Sequence, residues 1–139
     1  MKNKRDSGTA LFLMEMIAVV CFFILCASIC ILVFVKANNL SRLARDTNQA
    51  SLAAESVAEV WKAEDAEGLK TRFGMREEGD HQVICWDSRW NVTADGNQTG
   101  FLAQVTVEVK GAVEEAQIKV LRSEDGTELF LLTAKRLSR

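Results

Sequence analysis

The sequence contains no proline and no tyrosine, and it has no glycine between Gly8 and Gly68. Proline and glycine are the residues that interrupt helices most strongly, because proline lacks a backbone donor and glycine loses the most entropy on ordering. Nothing between these two glycines therefore forces a helix to end. A single long helix is compatible with almost the whole first half of the chain.

Histidine and cysteine are scarce outside one apolar run. His81 is the single histidine, and a lone histidine among carboxylates makes a poor transition-metal site. Cys21, Cys26 and Cys30 lie within the apolar run, which leaves Cys85 without a partner for an intramolecular disulfide. Cys85 is interpreted as a small apolar filler of a strand, with a redox or intermolecular disulfide role as the alternative.

The motifs of several large function classes are missing. The sequence has no glycine-rich phosphate loop, no nucleophile elbow, no Cys-x-x-Cys pair and no catalytic constellation that contains histidine. The formal net charge is −2, so there is no basic footprint for nucleic acid. We therefore expect neither an enzyme nor a cofactor, and we expect no nucleic-acid partner.

One long hydrophobic run dominates the N-terminal part of the chain. Residues 11–35 are apolar or small except for Glu15, which is the only charge among them. A helix of this length spans about 37 Å at ~1.5 Å per residue, which exceeds the ~30 Å hydrocarbon core of a bilayer. The run is also too long for an ordinary secretory signal. It predicts a single transmembrane helix.

The helical pattern continues beyond the apolar run. Apolar and small residues recur at three- and four-residue steps to about Lys62, so residues 36–64 are predicted to be an amphipathic continuation of the same helix, about 50 residues long in all. Asp65 as an N-cap and Gly74 as a C-terminal stop predict a short second helix between them, and residues 75–80 are predicted to be a loop. Basic residues flank both ends of residues 11–35, so charge alone leaves the membrane orientation open.

The rest of the chain, residues 65–139, reads as a small β-sheet domain. Alternation of apolar and polar residues over 101–109 is the clearest strand signal. Asp125-Gly126 favours a hairpin turn between two further strands, which completes a three-stranded antiparallel meander. The predicted strands are 82–86, 90–93, 101–109, 117–122 and 128–135.

The predicted fold class is α+β, with a long N-terminal helix, transmembrane in its first half, packed against a small antiparallel sheet. Each of these two surfaces exposes an apolar face that only the other is large enough to cover. The residues expected to pack helix against sheet are Leu43, Ala50, Ala54, Val57, Trp61, Phe101, Val105, Val107, Ile118 and Val120.

The N-terminal residues give a more specific indication of the protein family. Residues 1–10 form a short basic leader that ends in Ala10, and the apolar stretch that begins with Leu11 carries glutamate at its fifth position, Glu15. This spacing, together with the long helix, resembles the type IV pilin and pseudopilin family. The family usually has glycine where this chain has Ala10, and a boundary between Gly8 and Thr9 is the alternative.

The resemblance implies how the chain is processed and assembled. A prepilin peptidase would cut between Ala10 and Leu11 on the cytoplasmic side, and the sheet domain would lie outside the cell membrane. Glu15 would then pair with the N-terminal amine of a neighbouring pilin or pseudopilin subunit and set the axial register. The alternative is that the Glu15 side chain simply extends to the membrane interface.

Two functions remain open from the sequence. The first is a structural subunit, a minor pilin or pseudopilin of a type IV pilus, type II secretion or competence-type filament. The second is an uncleaved single-pass membrane protein whose sheet domain binds a partner.

Overall fold

The computed structural model describes the backbone of residues 2–138 and the side chains of residues 6–138. The chain divides into two compact units, Met1–Arg42 and Leu43–Arg139. The first unit is helical wherever it is described. The second contains the remainder of the helix and a five-stranded sheet. The α+β class, a long N-terminal helix packed on an antiparallel sheet, is confirmed.

The helix α1 runs over Lys2–Phe73, well beyond the predicted 50 residues. It includes residues 2–10, which the sequence predicted to belong to a leader, and it is interrupted only at Asp65, whose φ of 62° and ψ of −162° are not helical. The short second helix expected from Asp65 is therefore the last part of α1 after this break. α1 ends at Phe73 and is followed by Gly74, where φ is 60° and the backbone N–H donates to the Lys70 carbonyl at 3.1 Å. A glycine in this left-handed conformation is a common helix stop.

The sheet has five antiparallel strands in the order in which they occur along the chain. Each strand pairs with the next, so the topology is a simple meander. The strands are β1 (Arg76–Glu78), β2 (His81–Trp86), β3 (Phe101–Lys110), β4 (Val113–Arg122) and β5 (Glu128–Leu137).

Two local predictions about the sheet are wrong. The segment expected to be a loop, 75–80, contains β1, because Gly79 adopts a φ of 62° and closes a tight turn that pairs Glu78 with His81. The strand expected at 90–93 is reduced to a single bridge between Trp86 and Val92. There the Asp87 side chain accepts backbone N–H groups from Arg89 and Asn91 and folds the segment into a tight loop.

The core of the second unit lies between the helix and one face of the sheet. The helix contributes mainly small side chains together with Trp61, and the sheet contributes mainly branched aliphatic and aromatic residues. Each fully buried aliphatic side chain stabilises the fold by about 1.5–3 kcal/mol. The largest fully buried side chains are Trp61, Leu69, Ile84, Ile118, Val57, Val105 and Val120.

Eight of the ten residues expected to pack helix against sheet lie in this core: Ala50, Ala54, Val57, Trp61, Phe101, Val105, Ile118 and Val120. The expectation is wrong for Leu43 and Val107, each of which is 40% exposed. Leu43 precedes Asp46, where the helix meets the β4–β5 hairpin through Arg122. Val107 lies beyond the end of the β2–β3 pairing, which stops at Val105, so its side chain lacks a neighbour on that side.

Candidate functional site

The first unit contains one segment long and apolar enough to cross a membrane. The side chains of residues 11–35 are exposed on all sides of α1, apart from partly buried Cys26. A helix that is apolar all round is stable only where water is excluded, either in lipid or among other helices. The segment therefore needs a nonaqueous environment that its own unit does not supply.

Glu15 interrupts this apolar surface. Its side chain is exposed and makes no hydrogen bond or ion pair with any side chain that the structure describes. The residues one turn away on its face are apolar: Leu11, Phe12, Ala18 and Val19. A carboxylate in such surroundings costs about 2.5–3.5 kcal/mol near the bilayer centre and less towards the interface. A cationic partner from another molecule would offset that cost.

The predicted cleavage residues lie within continuous helix. Gly8, Thr9, Ala10 and Leu11 are all helical and exposed, and a Cβ placed on Gly8 would meet nothing within 4 Å. The residues at both candidate boundaries are thus exposed in this unit. The basic side chains of the predicted leader, Lys2, Lys4 and Arg5, lie outside the described side chains.

In the second unit, Arg136 of β5 links the helix to the sheet. Its Nε donates to Glu114 Oε2 at 2.7 Å, and its Nη1 donates to the Trp61 carbonyl at 2.7 Å. The same guanidinium lies 4.3 Å from the centroid of the Trp61 ring and forms an ion pair with Asp65. Arg136 thereby contacts the helix about one turn before its break, at Trp61, and at the break itself, at Asp65.

The surroundings of Arg136 keep it charged. Burial opposes its charged form, but hydrogen bonds to Glu114 and Asp65 outweigh burial and raise the pKa of Arg136 above its ordinary value. The side chains of Arg136 and Glu114 are only 17% and 18% exposed, so water screens this pair weakly. The cluster acts as a permanent electrostatic clamp.

A second ion pair lies near the other end of the helix–sheet contact. Arg122, the last residue of β4, donates from Nη2 to Asp46 Oδ2 at 2.5 Å, and its Nη1 contacts Asp125 of the hairpin turn at 3.4 Å. The hydrogen bond to Asp46 is the main reason that the pKa of Arg122 is raised. Two arginines of neighbouring strands therefore hold the helix at two separate points.

Aromatic rings pack beside the helix at the start of β3. The Trp90 and Phe101 rings stack with centroids 3.9 Å apart and planes 12° from parallel, and Trp86 lies between Trp90 and Phe73. Trp90 has a φ of 65°, which is costly for a bulky residue. The hydrogen bonds of the Asp87 carboxylate to this loop hold Trp90 in that conformation.

An open groove of about 270 Å³ runs between the helix and this aromatic cluster. Leu52 on the helix and Val92 on the loop are 51% and 46% exposed, so apolar surface at the groove reaches solvent. The lining residues are Gln49, Leu52, Ala53, Ser56, Phe73, Trp86, Trp90 and Val92.

The remaining chemistry-bearing residues are dispersed. Cys85 is partly buried on the sheet face away from the helix, where it pairs with Leu102. His81 is exposed, and its Nδ1 lies 3.4 Å from Thr106 Oγ1. Across the described residues, no three His, Cys, Asp or Glu side chains are grouped to hold a metal ion.

The sequence did not predict that Arg122 and Arg136 hold the helix against the sheet. A signal was present, because Arg122 continues the alternation of Ile118 and Val120, and Arg136 continues that of Leu132 and Ala134. An arginine in phase with buried residues points to a buried partner, since burying a lone charge is costly. The identity of the partners depends on the helix above the sheet, which strand periodicity does not reveal.

Comparison with known proteins gives no match: no protein-family model, no curated protein and no solved structure is similar to this chain.

Proposed function

We propose that this chain is a structural subunit of a type IV pilin-like filament, a minor pilin or pseudopilin anchored in the cell membrane by the apolar part of α1. The observation that carries the proposal is Glu15, a carboxylate with no partner among the described side chains on a helix that is apolar all round. It stands five residues after Ala10. The N-terminal amine created at Leu11 of a neighbouring subunit supplies the complementary charge.

The physical advantage of this pairing is specificity. Two opposite charges in a low-dielectric helix bundle attract strongly, while each alone would be penalised by desolvation. Subunits that slide past their correct axial position lose the pair and keep the penalty. An intermolecular ion pair of this kind therefore defines register between helices that otherwise interact through non-directional apolar contacts.

The second unit supports the same role. Its helix is held against the sheet by a packed core and by the clamps at Arg122 and Arg136. The sheet domain is thereby fastened to the part of α1 that lies in the same unit, which gives the subunit a head with a fixed internal arrangement. Orientation follows the proposal, with the leader in the cytoplasm and the sheet domain outside.

Mass spectrometry of the N-terminus tests the proposal. The full chain is expressed with and without a prepilin peptidase, and the N-terminal peptide is sequenced from the membrane fraction. A mature chain that begins at Leu11 only when the peptidase is present supports the proposal, and Ala10→Glu is the matched variant expected to block cleavage. An intact N-terminus in peptidase-positive cells overturns it and favours the uncleaved anchored binding protein.

A further inference from the structure

Within residues 2–138, the last strand of the sheet, β5, has one hydrogen-bonding edge that pairs with no other strand. The Ser138 N–H donates to the Ala112 carbonyl at 2.8 Å, which makes residues 112 and 138 a hydrogen-bonded antiparallel pair. Because such pairs alternate along an antiparallel ladder, the even-numbered residues of β5 bond to β4 as far as Phe130. The backbone groups of Leu131, Thr133 and Lys135 therefore point away from the sheet.

The opposite edge of the sheet is longer than β1 alone. The Thr93 N–H donates to the Cys85 carbonyl at 3.0 Å and the Asp87 N–H donates to the Asn91 carbonyl at 2.9 Å, so 91–93 continue the edge along β2 where β1 stops. Arg76 joins the two pieces by donating to the Ala94 carbonyl. We call residues 91–93 and 76–78 together the composite edge. By the same alternation, the backbone groups of Val92 and Glu77 point outward.

The two edges run in the same direction. Four antiparallel steps separate β1 from β5, and 91–93 run antiparallel to β2 just as β1 does. A second copy translated within the plane of the sheet thus brings its composite edge beside β5 as a parallel strand. We propose that β5 of one copy pairs with the composite edge of the next copy and continues the sheet from subunit to subunit.

One register satisfies the side chains at both ends of the pairing. On β2, Trp86 lies opposite Val92 and His81 lies opposite Glu78. Val92 and Glu78 are therefore five residue positions apart along the composite edge, and Phe130 and Lys135 are five positions apart along β5. In this register Glu78 lies beside Lys135 on the sheet face away from the helix, while Val92 lies beside Phe130 on the helix face. The carboxylate of Glu78 is thus placed beside the ammonium group of Lys135, and the apolar side chain of Val92 beside that of Phe130.

The backbone groups agree with this register as well. In a parallel ladder, a residue whose N–H and C=O point towards the partner strand lies opposite one whose groups point away from it. Lys135 points outward and would face Glu78, which bonds to β2, and Val92 points outward and would face Phe130, which bonds to β4. The match in direction, face, charge and hydrogen bonding identifies the second copy as the occupant of the edge.

Pairing of β5 with a second β5 gives a different arrangement. Two identical antiparallel strands are related by a two-fold axis perpendicular to the sheet, so the helices packed on the two sheets would run in opposite directions. Head-to-tail pairing by translation instead gives every copy the same orientation, as chains inserted into one membrane from the same side have. This step rests on the proposed function, and a head-to-tail contact that does not close is the kind that builds filaments.

Disulfide cross-linking of the full chain in membranes tests the pairing. The native cysteines are replaced by Cys21→Ala, Cys26→Ala, Cys30→Ala and Cys85→Ser, and Glu78→Cys and Lys135→Cys are introduced together. These two positions lie on opposite edges of one sheet, so they cannot join within a chain. Oxidation is expected to give a ladder of dimers, trimers and larger species on electrophoresis that reductant collapses.

The controls separate this pairing from its alternatives. Glu78→Cys alone and Lys135→Cys alone should give no ladder, and Glu78→Cys with Lys119→Cys, on the interior strand β4, should give at most a tenth of the product. Thr133→Pro removes an N–H that points away from β4 and should abolish the ladder, whereas Thr133→Val should keep it. Dimers of Lys135→Cys alone, or no ladder in the paired variant, overturn the proposal.

N-terminal sequencing of the same samples distinguishes this inference from the function on which it rests. A chain processed at Leu11 that gives no ladder sinks the edge pairing and leaves the filament proposal standing. A ladder formed by chains with an intact N-terminus supports the edge pairing and sinks the filament proposal.

Discussion

Arg136 contacts both the ring and the backbone of Trp61: its guanidinium carbon lies 4.3 Å from the ring centroid, and its Nη1 donates to the Trp61 carbonyl at 2.7 Å. The same side chain bonds to Glu114 on the adjacent strand and pairs with Asp65 at the helix break. One residue of the last strand therefore joins the helix, its interruption and the sheet.

Replacing Arg136 tests the importance of this clamp. Arg136→Lys keeps the charge but cannot reproduce the planar set of donors, and we expect it to lower the free energy of unfolding by about 1.5–3 kcal/mol. Urea denaturation of the detergent-solubilised chain, followed by tryptophan fluorescence, measures the change. Lys135→Ala, whose side chain is 64% exposed, is the matched control and should change stability by less than about 0.5 kcal/mol. Equal effects of the two variants would contradict the assignment.

Trp90 offers a test of backbone strain. At the Trp90 φ of 65°, an alanine has the steric cost of the left-handed conformation, whereas a glycine does not. Both variants lose the indole ring that stacks on Phe101. We expect Trp90→Ala to be less stable than Trp90→Gly by about 0.5–1 kcal/mol, the reverse of the usual order. Thermal unfolding followed by circular dichroism compares them. A more stable alanine variant would show that the loop relaxes to another conformation.

The acid sensitivity of the second unit should depend on Asp87. Hydrogen bonds, chiefly from the Asn91 backbone N–H, hold the pKa of Asp87 below its ordinary value of 3.8. Because the folded pKa is the lower one, its stabilisation is complete above the ordinary value and is lost as pH falls through the folded pKa. Asp87→Asn keeps an acceptor but cannot titrate, so its melting temperature should fall less steeply below about pH 4. Identical slopes between about pH 7 and about pH 3 would refute this.

Glu15 connects the proposed assembly to a measurement. Glu15→Val should leave membrane insertion intact, since it removes a charge from an apolar segment. It should nevertheless reduce co-assembly with partner pilins by about tenfold or more, which corresponds to a loss of about 1.4 kcal/mol or more. Alkaline extraction measures insertion, and immunoblotting of sheared filaments measures incorporation. Glu15→Asp is the matched control that retains the charge, and normal incorporation of Glu15→Val would argue against an intersubunit ion pair.

Local periodicity was sufficient for the elements with strong patterns. The apolar run and its amphipathic continuation predicted the helix, and the alternation over 101–109 predicted β3, because both signals arise from neighbours within one element. β1 escaped prediction because its three residues, Arg76, Glu77 and Glu78, have no apolar alternation. Its existence depends on the turn at Gly79 and on the strand that follows.

The sequence by itself determined that this chain has one long helix, that its apolar segment 11–35 has a lone carboxylate, and that a sheet follows it. These properties depend on residue type and spacing along the chain. Only the tertiary structure decided that Leu43 and Val107 are 40% exposed, that Arg136 contacts Trp61, and that the sheet has two free edges running in the same direction. Those properties depend on contacts between residues as many as 76 positions apart, as for Asp46 and Arg122, and the periodicity of one element does not reveal its partner in another.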